Sequence, residues 1–484
     1  MSWRHLLHVV GAVLMAVGAA MVAPIVVATI YTEWSDIPGL MAAASITGLA
    51  GFGLWKAFDR PGELSAREGF AAVGLAWVGV AIVGTLPYLL TGSIGNFTDA
   101  FFESAAGFTT TGASIIPDPG QLSHGVVFWR SFTQWVGGMG IIVLSIAILP
   151  LLGMGAVQLA RAESPGPTPD RLTPRFSETA KRLWFLYMGV TAVQVVFLWV
   201  GDMTFFEAIN HSFTTLSTGG FSTNSGSLGA YSAYSQWIVI VFMLLAGVSF
   251  ALHYKVLRRD RKAYFKSVGL RVYLGIIAGA ALLIAIGTWG TLGVADTIRD
   301  ALFTSLTIVT TTGFGTSDFA QWIPALEIMI VGLMFIGGMA GSTSGAIKSD
   351  RLHILYEASR TDVRRIIHPR GVFVTRVGRE TVPDVVVETV QTFFLLYMAA
   401  FMTGTFLLAI IGSIAEPNLD MVTTVSAVAS AIGNVGPGLG EVGPASNYLG
   451  VPWPGKFLLS TLMIVGRLEI LPILILFNRE VWRR

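Results

Sequence analysis

Apolar residues run along this chain in long blocks, and the polar residues are gathered between them. No Asp, Glu, Lys or Arg falls within His5–Thr32, Gly69–Thr98, Ser131–Ala160, Val272–Ala295 or Thr389–Ala415. A membrane-spanning helix needs ~20 mostly apolar residues, so each block is long enough to cross. The pattern predicts a polytopic membrane protein built of helices. The first block lacks a small-residue cleavage pattern after a short apolar core, so it is expected as a retained helix and not a leader.

Between these blocks lies a second, shorter pattern. DAFFESAAGFTTTGAS (Asp99–Ser114), EAINHSFTTLSTGGFS (Glu207–Ser222) and DALFTSLTIVTTTGFG (Asp300–Gly315) each open on an acid followed by alanine. Each carries a glycine thirteen residues past the acid: Gly112, Gly220 and Gly313. A fourth stretch, SAVASAIGNVGPG (Ser426–Gly438), lacks that acid and ends in the same way at Gly436. Internal repeats at long intervals mark repeated supersecondary units. Each unit reads as helix, short half-helix, glycine-rich loop, helix. Asp99, Glu207 and Asp300 are expected in the first turn of the half-helices, with a glycine ending each about ten residues on. Ten helical residues cannot cross a bilayer, so the stretch must re-enter. Irregular backbone at that depth is tolerated only inside protein or along a water-filled path, and four loops meeting on one axis meet that condition together.

Charge orients the chain. Lys and Arg gather in alternate segments: Lys56–Arg67, Arg161–Arg182, Arg258–Arg271, Lys348–Arg379 and Arg479–Arg484. Tyr31–Leu40, Thr91–Val127, Gly201–Gln236 and Ile411–Gly455 contain neither residue. The positive-inside rule places the basic segments and both termini in the cytoplasm, which requires an even number of crossings. Charged residues are only 12% of the chain, against about 25% for a soluble domain. With no cysteine, disulfides and thiolate metal sites are excluded. The seven histidines have no metal-ligand spacing, and His211 is expected as a hydrogen-bonding residue. No phosphate-binding loop is present, which argues against ATP hydrolysis. Ser164–Pro174 (SPGPTPDRLTP) reads as a cytoplasmic linker.

The loop chemistry suits hard alkali cations. The loops hold no acids from which to build a carboxylate cage, but they hold carbonyl and hydroxyl oxygens. TTGFG at Thr311–Gly315 and NVGPG at Asn434–Gly438 approximate the TVGYG pattern of potassium-channel filters. The expected filter residues are Thr110, Thr111, Gly112, Thr218, Gly219, Gly220, Thr311, Thr312, Gly313, Asn434, Val435 and Gly436. K+ is expected at Thr111, Gly112, Gly220, Thr312, Gly313, Val435 and Gly436. The competing reading, small residues as helix-packing contacts, suits any single loop better than four loops sharing position and side. Two features lie deeper. FIGGMAGSTSGAIK (Phe335–Lys348) is rich in glycine and hydroxyls, and predicts a broken helix obstructing the cytoplasmic half of the pore. Gly137–Gly140 (GGMG) is a shorter echo, for which close helix crossing is an equal alternative. GRLEI (Gly466–Ile470) sets Arg467 and Glu469 inside an apolar span. Residues two apart on a helix diverge, so Arg467 is expected toward the pore and Glu469 against a neighbouring helix. The alternative for Arg467 is a buried ion pair.

The motifs FFESAAGFTTTGAS, STGGFST (Ser217–Thr223), GGMAGSTSGAIKSDR (Gly337–Arg351), GNVGPGLG (Gly433–Gly440) and GRLEI together resemble the superfamily of K+ transporters comprising Trk, Ktr and HKT proteins, most closely the bacterial TrkH type. The resemblance covers about Glu68–Phe477 and extends to two preceding helices, roughly Leu6–Ile30 and Pro38–Trp55. It implies an all-α polytopic membrane protein: four helix–re-entrant pore loop–helix repeats around a pseudo-fourfold pore, plus two extra N-terminal transmembrane helices. The corresponding parts are 1–60 for the helix pair and 61–165, 166–262, 263–375 and 376–484 for the four pore repeats. It also implies K+ uptake across a bacterial inner membrane and a homodimer. The further partner implied is a cytosolic Rossmann-like regulatory subunit of the TrkA type, which would hold the nucleotide; K+ itself is cargo, and no covalent cofactor or nucleic acid is expected. In such proteins Gly337, Gly338, Gly341, Ser342, Thr343, Ser344, Gly345 and Lys348 would form the intramembrane gate, with Arg467 beside it. The alternatives are a less selective Na+/K+ transporter and an ion-coupled secondary transporter. Repeats of a single orientation disfavour the inverted-repeat form of the latter, and no polar constellation in the spans supports a membrane enzyme.

Overall fold

The computed structural model describes residues 3–58, 66–148, 173–415, 419–470 and 473. The linker read over Ser164–Pro174 and the basic C-terminal group fall almost wholly outside them. Among the described residues, six helices are long and apolar enough to cross a membrane, and a bent pair makes a seventh. The chain is a multi-pass membrane protein.

The N-terminal pair comes first: α1 (Trp3–Ala20), α2 (Val22–Ile30) and α3 (Ile37–Ala57). Pro24, which cannot donate to the preceding turn, lies just past the break between α1 and α2. Small residues bring α1 and α3 almost into backbone contact: a Cβ on Gly11 would lie 2.7 Å from the Gly51 carbonyl oxygen, and one on Gly18 would lie 2.7 Å from the Gly48 nitrogen. Such packing is the usual glue between helices in lipid. The pair is fastened to the pore unit by Glu33, which accepts from the backbone nitrogens of His124 at 2.7 Å and Gly125 at 3.0 Å. Those donors open α7 (His124–Ile148), where an anion also complements the helix dipole.

Four repeats follow. The first runs through α4 (Ala66–Val83), α5 (Leu86–Leu90), the half-helix α6 (Phe97–Phe108) and α7. The second has α8 (Thr173–Val200), half-helix α9 (Phe205–Leu216) and the pair α10 (Ala233–Ala246) and α11 (Phe250–Leu257), bent by 96°. After a short α12 (Lys262–Lys266), the third has α13 (Val268–Gly287), α14 (Val294–Val309), α15 (Pro324–Leu333) and α16 (Ser349–Ile367). The fourth has α17 (Asp384–Ile414), α18 (Met421–Gly433) and α19 (Trp453–Arg467). Two small sheets accompany them: β1 (Ile336–Gly337) parallel to β2 (Ile347–Lys348), and the hairpin of β3 (Arg376–Val377) with β4 (Glu380–Thr381).

Sequence-expected caps are corrected in detail. Asn96 caps α6 by accepting from the Asp99 nitrogen at 2.9 Å, while Asp99 sits in the first turn. Glu207 closes a capping box with Thr204. Asp300 does not open its helix: α14 begins at Val294, and Asp300 lies inside it, accepting from Thr316 Oγ1 at 2.5 Å. The fourth half-helix, without the shared acid, is capped by Asp420 instead.

The half-helices are buried at the centre, with Phe102, Ala105, His211, Phe303 and Val428 all closed to solvent. The spanning helices face outward with Val200, Phe406, Leu395 and Ile286 widely exposed. An apolar surface of that extent suits lipid and not water.

Candidate functional site

Each half-helix ends, and the chain then adopts an unusual run of backbone angles. The residue two before each repeat glycine is left-handed without being glycine: Thr110 (φ 52°), Thr218 (55°), Thr311 (57°) and Asn434 (53°). The glycines themselves have φ of 78° (Gly112), 74° (Gly220), 80° (Gly313) and 109° (Gly436). A β-branched residue in this region is a genuine outlier, at a cost of order 1–3 kcal/mol. Fourfold recurrence at one offset means that the surroundings enforce it. Sequence reasoning expected glycine to end the half-helices. A threonine or asparagine makes the first left-handed turn instead, and glycine comes two residues later.

The four loops close on one another. A Cβ on Gly112 would collide with the Gly219 carbonyl oxygen, one on Gly220 with that of Thr312, and one on Gly313 with that of Val435. One on Gly436 would lie 2.7 Å from the Thr111 carbonyl oxygen. The residue before each glycine thus abuts the glycine of the preceding repeat, and the cycle returns to its start. Only glycine fits a backbone approached this closely. The ring brings together all twelve residues expected from sequence, Thr110 to Gly112, Thr218 to Gly220, Thr311 to Gly313 and Asn434 to Gly436. A cavity of about 150 Å³ opens on it, lined by Gly112, Gly220, Gly313 and Gly436.

Side chains fix the loops from behind. Gln134, fully buried on α7, donates to the Gly219 carbonyl at 2.7 Å and accepts from the Phe221 nitrogen at 3.1 Å. Asn434 Nδ2 donates to Thr111 Oγ1 at 2.9 Å and to the Met463 carbonyl at 2.8 Å. His211 lies 3.0 Å from Ser222 Oγ and 2.9 Å from the Glu207 carbonyl, a hydrogen-bonding position. Sequence reasoning missed Gln134 and the buried ion pair of Arg130 with Glu103 at 2.8 Å. Polar residues within otherwise apolar helices were the available signal.

Beneath the ring, the second helix of the third repeat is broken, as its glycines and hydroxyls predict. Between α15 and α16 the segment Met334–Lys348 crosses under the loops. Gly345 donates to Thr311 Oγ1 at 2.7 Å, and Thr343 Oγ1 donates to the Leu216 carbonyl at 2.9 Å. Backbone groups freed by the break find partners: the Phe250 nitrogen on Gly341 O at 3.0 Å, the Met339 nitrogen on Gly247 O at 2.8 Å, and the Ala340 nitrogen on Asp350 Oδ2 at 2.8 Å. Ser342 Oγ caps the Met339 carbonyl at 2.6 Å, and Lys348 Nζ donates to the Ser344 carbonyl and hydroxyl. In a nonpolar interior every such group must be satisfied internally.

Arg467, 2% exposed, donates from Nη1 to the Thr343 carbonyl at 2.7 Å. It holds the broken segment and enters no ion pair among the described residues. The ion pair belongs to Glu469, with Arg351 at 2.6 Å. The two part company for a different reason than helical spacing: α19 ends at Arg467, and Glu469 and Ile470 are left-handed at φ 56° and 64°. Gly137–Gly140, by contrast, lie in continuous α7, where Gly137 meets Phe108 and Gly138 meets Ser217 and Tyr187. Close helix crossing is the observed outcome there.

The family model "TrkH: Cation transport protein" matches residues 38–277 and 282–483. The Trk system potassium uptake protein TrkH of Vibrio parahaemolyticus is 38% identical, with all of each chain covered. TrkH of Escherichia coli is 35% identical over all of each chain, and Escherichia coli TrkG is 33% identical over 99% of each. The crystal structure of the potassium transporter TrkH from Vibrio parahaemolyticus superposes with a TM-score of 0.91 at 35% identity, covering both chains fully. By sequence along its whole length and by fold, the chain belongs to the TrkH family of cation transport proteins.

Proposed function

We propose that this protein takes K+ into a bacterial cell through the ring of four loops, as a transporter and not an enzyme. The observation that carries the reading is the closed cycle in which each repeat glycine abuts the carbonyl of the next loop. Rings of backbone carbonyls replace the hydration shell of an alkali cation. The half-helices end at the ring, so their C-terminal partial charges favour a cation there. Neutral oxygens without carboxylates suit a monovalent ion better than Ca2+ or Mg2+, which require acidic ligands. The curated relatives are named for potassium uptake.

The alternation of basic segments supports a reading in which the chain spans the cytoplasmic membrane with both termini inside. The broken segment from Gly337 to Lys348, anchored by Arg467, is the gate. Exposed Arg360, Arg364 and Arg365 on α16, directly beyond it, offer a lever to a cytosolic nucleotide-binding subunit of the TrkA type. The relatives' name, Trk system, fits an assembly of several components, here a homodimer with that regulator.

The test is the reversal potential of purified protein in liposomes under opposed K+ and Na+ gradients. The reading expects it to follow the K+ gradient. A potential midway between the two, or set by a proton gradient, refutes selective K+ passage and supports the less selective or ion-coupled alternative.

A further inference from the structure

The seams between loops are built differently, and at the first an ion pair bonds directly to the residues that follow the filter glycines. The residue nine before the filter glycine is Glu103, His211, Thr304 or Ala427, and the residue two after it is Ser114, Ser222, Gly315 or Gly438. In the first repeat Glu103, 0% exposed, accepts from Ser114 Oγ at 3.1 Å and from the Ile115 nitrogen at 3.0 Å. The same carboxylate accepts from Arg130 Nε at 2.8 Å. Arg130 then reaches both sides of the seam: Nη2 donates to Ser114 Oγ at 3.1 Å, Nη1 donates to the Ser222 carbonyl at 3.3 Å, and the guanidinium lies 4.2 Å from the centre of the Phe221 ring.

At two other seams the bonds next to the filter glycines are neutral, and the buried pair of Lys456 with Asp99 at 2.5 Å joins the fourth repeat to the first away from those glycines, in the first turn of α6. Between the second and third repeats, the Gly229 nitrogen donates to Gly315 O at 3.0 Å and the Gly315 nitrogen to Ser227 Oγ at 3.1 Å. Between the fourth and first, Tyr448 donates from its nitrogen to Ser114 O and from its hydroxyl to Gly436 O, each at 2.8 Å. The third and fourth repeats carry glycine where the first two carry serine, so no side chain there can make the equivalent bond.

We propose that Glu103 and Arg130 are positioning residues for cation selectivity, a charged brace that fixes the distance between the first two filter loops. The inference rests on the reading of the ring as a K+ filter. Neither side chain is assigned a contact with the ion. Their effect runs through Ser114 and Phe221–Ser222, which continue directly from the filter glycines. Bonds involving ionised partners are shorter and about twice as strong as neutral ones, and the strength grows in a low-dielectric interior. A stiff seam holds the ring at one size, whereas a slack one lets the carbonyls close around the smaller Na+.

The experiment uses the full chain in liposomes, with the K+/Na+ permeability ratio read from reversal potentials and total cation flux measured beside it. Three variants are compared: Glu103→Gln, Arg130→Gln, and the two together. The double variant leaves no unpaired charge buried, which is the usual cause of misfolding when one partner is removed. The double variant is expected to assemble and to lose roughly tenfold in the ratio, about one charge-assisted hydrogen bond, while its total flux does not fall. A purely structural pair would lower the yield or the flux and leave the ratio alone. A selective wild type beside a double variant of unchanged ratio overturns the brace alone. A double variant that fails to assemble also overturns it, because the pair then holds the fold and not the filter. A wild type without K+ preference overturns the reading of the ring as a K+-selective filter, and the brace with it.

Discussion

Two glycine-rich stretches lie at nearly the same distance past a filter glycine, and they fold in opposite ways. GGMG at Gly137–Gly140 sits inside α7, a continuous helix of 25 residues. GGMAGSTSG at Gly337–Gly345 breaks its span in two. Glycine weakens a helix by only about 1 kcal/mol per residue, which packing easily offsets. In α7 it does: Gly137 and Gly138 let the helix press on Phe108 and on Ser217 of the neighbouring repeat. In the third repeat the glycines are followed by Ser342, Thr343 and Ser344: the Ser342 hydroxyl donates to the unwound Met339 carbonyl and bonds that of Ser344, and the Thr343 hydroxyl ties the segment to the Leu216 carbonyl at the end of α9. A second broken span, α10 and α11, offers Gly247 O and the Phe250 nitrogen to receive it. The difference teaches that breaking a membrane helix takes replacement partners, and that glycine alone only permits it.

The largest expected effect comes from removing the broken segment. Deleting Ala340–Ser344 should leave an assembled protein whose K+ flux without a regulator rises about tenfold or more. That figure follows if the open state of the intact protein is populated at no more than 10%. Flux in regulator-free liposomes decides it. No increase from a protein that still assembles would make the segment packing, like Gly137–Gly140, and the contrast would lose its functional meaning.

Arg467 comes next, since it anchors the segment and α7 has no counterpart to it. Arg467→Ala removes the bond to the Thr343 carbonyl and a fixed positive charge. Flux should rise up to about tenfold, the lower end of what one hydrogen bond to a charged group is worth. An unchanged flux from folded protein would mean that the other contacts of the segment suffice to hold it.

A matched pair sharpens the comparison at the level of single methyls. A Cβ on Gly138 would lie 2.8 Å from Ser217 Cα, and one on Gly338 would lie 2.6 Å from the Gly247 carbonyl oxygen. Overpacking of this kind costs about 1–3 kcal/mol. Gly138→Ala should lower thermal stability and leave regulator-free flux per assembled protein near wild type. Gly338→Ala should change that flux, because the strain falls on the segment itself. If both variants alter flux equally, the two stretches do not differ in role.

Much of this was legible in the sequence because it depended on local rules repeated four times. The shared glycine offset located three loops and the similar ending at Gly436 the fourth, and Gly337–Gly345 announced a break through its composition. What stayed hidden was set by contacts between distant residues. Glu103 and Arg130 are 27 apart, and Gln134 is 85 from the carbonyl it holds. The break at Gly247–Ser249 was also missed: a single Gly-Val-Ser does not signal a bend unless the segment it receives is known. Asp300 misled through its place in the repeat, because α14 starts about one turn earlier, relative to the repeat acid, than α6 and α9. Arg467 and Glu469 do take different partners, but because the helix has already ended and not because of helical spacing.

The smallest effect compares the first glycine after the methionine in each GGM stretch. Gly140 lies within α7, and a Cβ there would rest 3.6 Å from Trp77, an ordinary van der Waals distance. Gly140→Ala therefore gains helix propensity with nothing to displace, worth up to about 1 kcal/mol. In a chain this long that raises the thermal midpoint by about a degree or two. Gly341, two residues past Met339 where Gly140 is one past Met139, has φ 79°. Alanine there enters the left-handed region at a cost of about 1–2 kcal/mol, with its Cβ 3.0 Å from Ser249 Oγ. Gly341→Ala should lower the midpoint by a similar small amount. Opposite signs in side-by-side thermal melts are the expected result. Equal signs would mean that one of the two backbones is not as described: either Gly140 is needed for close approach, or the segment around Gly341 relaxes toward helix when a side chain is added.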